Sequence, residues 1–400
     1  AEAEGRVLEG CARVLVVGQP KGSALAKAAQ AACGPGASLK YWCRFSCGKT
    51  PGRVRPAASS QAFDGAVVRV PASRGLFAAA VAELAALLPE GAEAVFVGHR
   101  SEGRGARGVE ASVEPYFQVR RRPASAEAGG QGGFLVVARR TKAKAAPQSH
   151  TERTTLRLGP AETGGAEGAE LPWHVAPGLF AGGGLDIMTA FLLRHMPTPP
   201  KKARVLDFCC GSGAIGAALL HRQPSLRLHA LDADAVAVEA ARANLPEGAQ
   251  LLCSDGWRGL QADDAPKDAK GKARRFDWIV SNPPVHRGQR DDFSVVAALL
   301  DGGWARLRAG GRLWVVAQSY IPLVTMAQAS AAAHAGGDRI TVEVAARDGR
   351  FTVLLCTKAS KDGAAAGNAA PDAGRPIKRG RPSDAAGNGS TKRSSRKIEA

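Results

Sequence analysis

Val205-Leu-Asp207-Phe-Cys209-Cys210-Gly211-Ser-Gly213-Ala-Ile-Gly216 decides the fold. An apolar strand runs to an acid, turns through small residues and enters a helix, the order of a βα unit in a parallel sheet. The glycines let a ligand come close to the backbone, and the helix N-terminus offers free amides. Such a turn binds a nucleotide or a nucleoside. Asp207 disfavours a pyrophosphate, because a carboxylate repels phosphate, but it can accept hydrogen bonds from an ammonium group. The turn therefore suits S-adenosylmethionine better than a dinucleotide, with Asp207, Cys209, Gly211 and Gly213 as candidate cofactor-binding residues.

Two further acids follow in order. Asp232, with Ala233 beside it, ends the next strand about 25 residues on, where an acid can take both ribose hydroxyls. Asp255, followed by Gly256, ends the third strand and is placed to accept from the adenine amine. The alternative for Asp232 or Asp255 is a helix N-cap.

The fourth strand, Phe276-Asp-Trp-Ile-Val-Ser, runs straight into Asn282-Pro283-Pro284-Val285-His286. The two prolines end the strand and hold the backbone extended, so the Asn282 amide and the Pro283 carbonyl are fixed at the strand's C-terminal edge. A planar amine offers two hydrogens, and these two acceptors can take both. Holding both draws the nitrogen towards tetrahedral geometry and aims its lone pair at an electrophile. Asn282 and Pro283 are thus the candidate catalytic residues for N-methylation of a base amine, or of a side-chain amide. A plain turn is the alternative for Asn-Pro-Pro taken alone.

On either side of this stretch, strands and helices alternate. In the first half, Arg13–Val17, Ala66–Val70, Ala94–Gly98 and Phe134–Ala138 read as strands, with helices over Gly22–Cys33 and Leu76–Leu88. In the second half, Arg339–Val344 and Phe351–Leu355 flank Arg347-Asp348-Gly349-Arg350, and Asp-Gly there signals an antiparallel hairpin. That ending fits class I methyltransferases rather than dinucleotide dehydrogenases. The expected architecture is α/β, with two tandem Rossmann-like class I methyltransferase domains, the first degenerate, and a disordered basic C-terminal tail. The expected boundaries are 1–145 for the degenerate domain, 146–170 for a linker, 171–358 for the catalytic domain and 359–400 for the tail.

With 400 residues and 45% hydrophobic content, the chain has room for two cores. No run of 18 or more apolar residues occurs, so no membrane span is expected, and a soluble, intracellular, monomeric protein is. The sequence starts at Ala1 rather than Met, which leaves a removed targeting segment open. Eight cysteines without a Cys-x-x-Cys read as free thiols in a reducing compartment. Cys43 and Cys47 lack a second pair of ligands, and no metal is expected. The net charge of +18 suits a polyanion, RNA or DNA before a membrane. Roughly a third of that excess sits in the tail. Lys378-Arg379-Gly380-Arg381-Pro382 in that tail matches the core of an AT-hook, an extended segment that lies in the DNA minor groove. With Lys392–Lys397 it reads equally as a nuclear-localisation signal or an RNA tether.

The chain resembles the tandem-domain family of small-subunit ribosomal RNA guanine-N2 methyltransferases, together with its large-subunit sister. The resemblance covers Phe63 to Lys358. It rests on Pro177-Gly-Leu-Phe180 with Gly184-Leu-Asp186, on Leu206 to Gly213, and on Ser281-Asn-Pro-Pro-Val-His286. In the first half, Leu87-Leu-Pro-Glu-Gly and Val97-Gly-His-Arg-Ser-Glu-Gly103 look like the family's non-catalytic domain. The resemblance implies transfer of a methyl group from S-adenosylmethionine to guanine N2 in ribosomal RNA or a ribosomal subunit. Cytoplasm or an rRNA-containing organelle is the implied compartment, with the nucleus open through the tail. It further implies that Pro284, Val285, His286, Phe180 and Asp186 lie near the substrate. Packing and a helix cap are the alternative for Phe180 and Asp186, and loop ordering the alternative for His286. Val285 departs from the family's aromatic, and Cys209 from its first glycine. The residues taken without the family leave two other readings: methylation of adenine N6 or a glutamine amide, and a non-catalytic nucleic-acid-binding protein.

Overall fold

Two sheets, each with its own core, carry the fold. The computed structural model describes residues 8–9, 11–19, 21–45, 52, 63–99, 105–121, 133–141, 152–260, 275–287, 290–334 and 338–359. The first sheet holds β1 (Arg13–Val17), β2 (Ser38–Trp42), β3 (Gly65–Arg69), β4 (Glu93–His99), β5 (Phe117–Arg121) and β6 (Gly133–Arg140), in the order β2-β1-β3-β4-β6-β5. β1 pairs in parallel with β2 and β3, and β6 pairs antiparallel with β4 and β5. Helices α1 (Ala24–Cys33), α2 (Arg74–Leu87) and α3 (Ala106–Val113) flank it. Phe77, Phe96 and Phe117 meet edge to face under the sheet, with ring centroids 5.8 Å apart.

A short hairpin, β7 (Glu152–Leu158) with β8 (Ala169–Val175), leads into the second half, with one helical turn, α4 (Pro160–Thr163), between its strands. Leu156, Leu158 and Trp173 are buried in the second core, so the hairpin is part of the fold. The second sheet runs β11-β10-β9-β12-β15-β17-β16. Its strands are β9 (Arg204–Phe208), β10 (Arg227–Asp232), β11 (Gln250–Cys253), β12 (Phe276–Ser281), β15 (Leu307–Gln318), β16 (Ile340–Arg347) and β17 (Phe351–Lys358). β13 (His286–Arg287) and β14 (Arg290–Asp291) form a small ladder beyond β12. The helices are α5 (Ile187–His195), α6 (Ala214–Arg222), α7 (Ala235–Asn244), α8 (Ser294–Arg306) and α9 (Leu323–Ala333).

The two sheets share one topology. In each, a central strand (β1, β9) lies between its successor and the strand that returns on its other side (β3, β12), and an antiparallel pair closes the far edge. Among the described residues the first sheet lacks only a counterpart of β11. A doubly wound sheet opens a crevice where the winding reverses, beside the C-terminal ends of the central strands. In the second half that point lies between β9 and β12.

The mixed ending with an antiparallel hairpin is observed, its turn fixed by Asp348, whose carboxylate accepts from the Arg350 and Phe351 amides at 2.7 and 2.6 Å. The linker expected over 146–170 gives way to β7, α4 and the start of β8. β2, α3, β5, α5, α9 and the β13–β14 ladder are also additional to the elements expected. Phe134–Ala138 closes the first sheet from inside its edge, between β4 and β5. Cys47, residues 261–274, the AT-hook-like segment and the tail beyond Ala359 lie outside the described residues.

Candidate active site

The turn after β9 is tightly wound. Cys209, Gly211 and Gly213 have φ of 63°, 53° and 95°, a left-handed region that a side chain occupies at a cost. An added Cβ at Gly211 meets nothing within 4 Å, so the turn faces open space. At Gly213 the same atom would lie 3.0 Å from Leu245, which makes this glycine a packing requirement.

Asp207 is fully buried and does not line that space. Its Oδ2 accepts from the Gly216 amide at 3.1 Å in the first turn of α6, and its Oδ1 is buried without a partner. Burial pushes its carboxyl up to about 7; the Gly216 N–H opposes the shift and the nearby Asp232 adds to it. The acid expected to meet the cofactor instead braces the turn from beneath. Asp232 does line the cavity. Its two oxygens accept from the amides of Gly211 and Asp234, both at 2.9 Å, and burial raises its carboxyl to about 6. Asp234 caps α7 through Val236, so the cap read as an alternative for Asp232 belongs to its neighbour. Asp255, half-exposed, pairs with Arg258 at 3.4 Å and does not cap the turn that follows it. Ala233 and Gly256 also line the cavity. Burial and the neighbouring carboxylates push the Cys209 and Cys210 thiols well above the usual range, which removes them as nucleophiles.

β12 is stitched to β9 by Ser281, whose hydroxyl donates to the Phe208 carbonyl at 2.6 Å. Asn282 follows with its side-chain amide held on one side. Nδ2 donates to Thr189 Oγ1 at 2.9 Å and to Asp186 Oδ2 at 3.2 Å. Asp186 is the N-cap of α5, accepting from the Met188 and Thr189 amides, so the capping role weighed for it is observed, with the hold on Asn282 added. Both amide hydrogens being engaged, Asn282 Oδ1 points away from α5. Asn282, Pro283, Pro284, Val285 and Asp186 line the same cavity as Asp232. Val285 is 3% exposed and packs in the core with Phe208, Ile279 and Val296. His286 enters β13, and its side chain lies outside the described residues.

Phe180 is 65% exposed at the head of the turn Phe180–Gly183, facing the cavity. The Gly183 carbonyl ties this turn down, accepting from Trp173 Nε1 at 2.6 Å and Ser212 Oγ at 2.7 Å. Of the other aromatics near this site, Trp257 also lines the cavity, packed on Phe208 at 4.6 Å beneath Arg306 and donating to the Ala298 carbonyl, while Tyr320 does not line it. Sequence reasoning missed Thr189, Ser281, Asp234 and Arg44. Among these only Asp234, immediately before an apolar helical run, carried a visible capping signal.

The cavity measures about 2260 Å³ and is walled by both halves, the first contributing Gly18, Trp42, Arg44 and Arg69 among others. Ordinary small-molecule sites span roughly 300 to 1,000 Å³, so there is room for a nucleoside cofactor and a second nucleoside. Among the described residues, no cluster of metal-ligating side chains occurs and no helix is long and apolar enough to cross a membrane.

A doubly wound sheet closed by an antiparallel hairpin, with a left-handed small-residue turn after β9, an acid at the end of the next strand and Asn-Pro-Pro at the fourth, is the arrangement of the class I methyltransferase fold. Residues 170–354 match the family described as methyltransferase small domain. Two curated relatives are ribosomal RNA small subunit methyltransferase C of Citrobacter koseri, 36% identical over 185 residues, and of Salmonella typhi, 35% identical over 188. These matches cover 46% of this chain and 48% and 49% of the relatives, so the chain spans about half the length of the curated relatives it matches. The fold is similar to that of the T. thermophilus 16S rRNA N2 G1207 methyltransferase in complex with AdoMet and guanosine. That likeness has a TM-score of 0.63 at 20% identity and covers 89% of this chain and 92% of the other, both sheets included.

Proposed function

We propose that this chain is an S-adenosylmethionine-dependent methyltransferase acting on the exocyclic N2 of a guanine in ribosomal RNA, in the small subunit. The observation that carries the reading is the clamped amide of Asn282. Thr189 and Asp186 take its hydrogens, so its oxygen is a fixed acceptor. That oxygen and the Pro283 carbonyl receive the two hydrogens of a base amine. The cofactor supplies an electrophilic methyl on a sulfonium, a good leaving group. Asp232 and Ala233 hold the ribose side, Asp255 and Gly256 the adenine side, and Cys209 and Gly211 form the floor. Asp207 and Gly213 keep the turn in shape. No strong general base is needed, since the proton can pass to water after transfer, and catalysis rests on positioning.

Buried Val285 supplies no exposed aromatic face, and Phe180 takes the stacking role from the opposite wall. Pro284 adds apolar surface, and Asp186 positions Asn282. The first half, about residues 1–145, repeats the topology of 171–358 but carries no acid after β1 and no Asn-Pro-Pro after β3, and serves as a non-catalytic wall of the same cavity.

Asn282→Ala should lower methyl transfer by at least about 100-fold while binding of S-adenosylmethionine persists. Undiminished transfer would sink the mechanism. Phe180→Ala should raise KM for RNA by the loss of one stacked base, roughly 1 to 3 kcal/mol, with kcat changed less. Label from tritiated donor should appear in guanine of ribosomal RNA. Its appearance in adenine, or in protein glutamine, would overturn the choice of acceptor.

A further inference from the structure

Arg44 lies just beyond β2, in the half that carries none of the proposed chemistry, yet its side chain reaches the cofactor corner of the other half. It is 9% exposed. Its Nε and Nη2 grip both oxygens of Asp234 at 2.5 Å, the planar fork that arginine makes with a carboxylate. Nη1 donates to the Pro177 carbonyl at 2.8 Å and Nη2 to the Gly178 carbonyl at 3.2 Å. The backbone joins too: the Ala235 amide donates to the Arg44 carbonyl at 3.0 Å, and Phe45 bridges Asp234.

Both anchors belong to donor-site machinery. Asp234 gives its amide to Asp232 Oδ1, and Asp232 in turn holds the Gly211 amide. One chain of bonds therefore runs from Arg44 through Asp234 and Asp232 to the glycine turn. The second anchor, Pro177–Gly178, lies just ahead of exposed Phe180. Little room is left around this joint, since a Cβ on Gly178 would sit 3.0 Å from Arg44 Nη1. A simple inter-domain fastener would need an acid anywhere on the facing surface. This one takes the residue that orients the ribose acid, and the two carbonyls that lead to the aromatic wall.

We infer that Arg44 is a positioning residue for the methyl donor, by which the first half sets the geometry of the second half's ribose-binding corner. The inference rests on the methyl-donor reading of this site, and not on which RNA or base is methylated.

Arg44→Ala should raise the Kd for S-adenosylmethionine, titrated calorimetrically without RNA, by about tenfold. KM for the donor should rise in parallel, with kcat at saturating donor and RNA within about threefold. Arg44→Lys, which keeps the charge but loses the fork, should fall between the two and covers the case in which the alanine variant does not fold. A donor Kd unchanged within about twofold in folded protein of either variant would overturn the inference. So would a loss of kcat in proportion to a loss of folded protein, with the Kd of the remainder unaltered. Unsubstituted chain that binds the donor but leaves ribosomal RNA unmodified would overturn the proposed substrate and leave the role of Arg44 standing. Unsubstituted chain that fails to bind the donor would overturn both.

Discussion

At the residue scale, the site depends on side chains whose orientation is imposed by neighbours. Asn282 can present either its oxygen or its nitrogen to the cavity; the acceptor-only carboxylate of Asp186 decides which, and Thr189 takes the second hydrogen. Thr189→Val removes one acceptor for the amide while keeping the volume, so the amide gains freedom to turn. Methyl transfer should fall by about tenfold, less than for Asn282→Ala, with donor Kd unchanged; single-turnover rates check this. The two raised carboxyls give a second test. Asp207 at about 7 and Asp232 at about 6 both titrate above the ordinary 3.8, so the folded chain holds their protons more tightly than the unfolded one. Their contribution to stability is full below about pH 4 and is lost as pH rises through about 6 and about 7. Thermal unfolding of the donor-free protein should therefore shift downward between about pH 4 and about pH 7, and Asp207→Asn should flatten the trend. Asn282 and Asp232 were legible because their chemistry is written in strand ends. Asp207 was legible as a position but not as a contact. A strand-end acid can turn either outward to a ligand or inward to the next helix, and only the left-handed turn at Cys209 settles which.

At the scale of elements, the strands that could be read are those with unbroken apolar runs, such as Arg13–Val17 and Phe276–Ser281, buried on both faces. β2 reads Ser-Leu-Lys-Tyr-Trp, a half-exposed edge strand of mixed character, and α3 is short and carries two charged residues. Neither has a period that rises above a loop. β7 buries only Leu156 and Leu158, and its polar Glu-Arg-Thr-Thr start looks like a linker until β8 pairs with it. The hairpin nevertheless supports the site, because Trp173 and the turn at Gly183 share one hydrogen bond. Gly183 has φ of 82°, and a Cβ there would lie 2.7 Å from Val175. Gly183→Ala should thus destabilise the fold by about 2 kcal/mol or more, from crowding and left-handed strain together, as read from the denaturant midpoint. An unchanged midpoint would mean that the Phe180–Gly183 turn repacks freely.

At the scale of the whole molecule, charge and topology act together. A net charge of +18 suits the ribosomal RNA proposed as substrate, since each phosphate contact releases counterions. Deleting residues 359–400 removes basic residues that the proposed chemistry does not use. RNA affinity should weaken and its dependence on salt flatten, while kcat at saturating RNA is kept; a filter-binding series over salt reads the slope. Loss of kcat would give the tail a part in the reaction.

The likeness to the T. thermophilus enzyme spans both sheets, whereas the matches to curated relatives span about half the chain. Topology is shared by the first half, which lies outside the residues 170–354 that match the family. The bond between Arg44 and Asp234 sets a limit on sequence drift. Losing either partner alone strands a buried charge, so the two positions can change only as a pair. A half without the strand-end acid and Asn-Pro-Pro is thereby bound to the history of the one that has them.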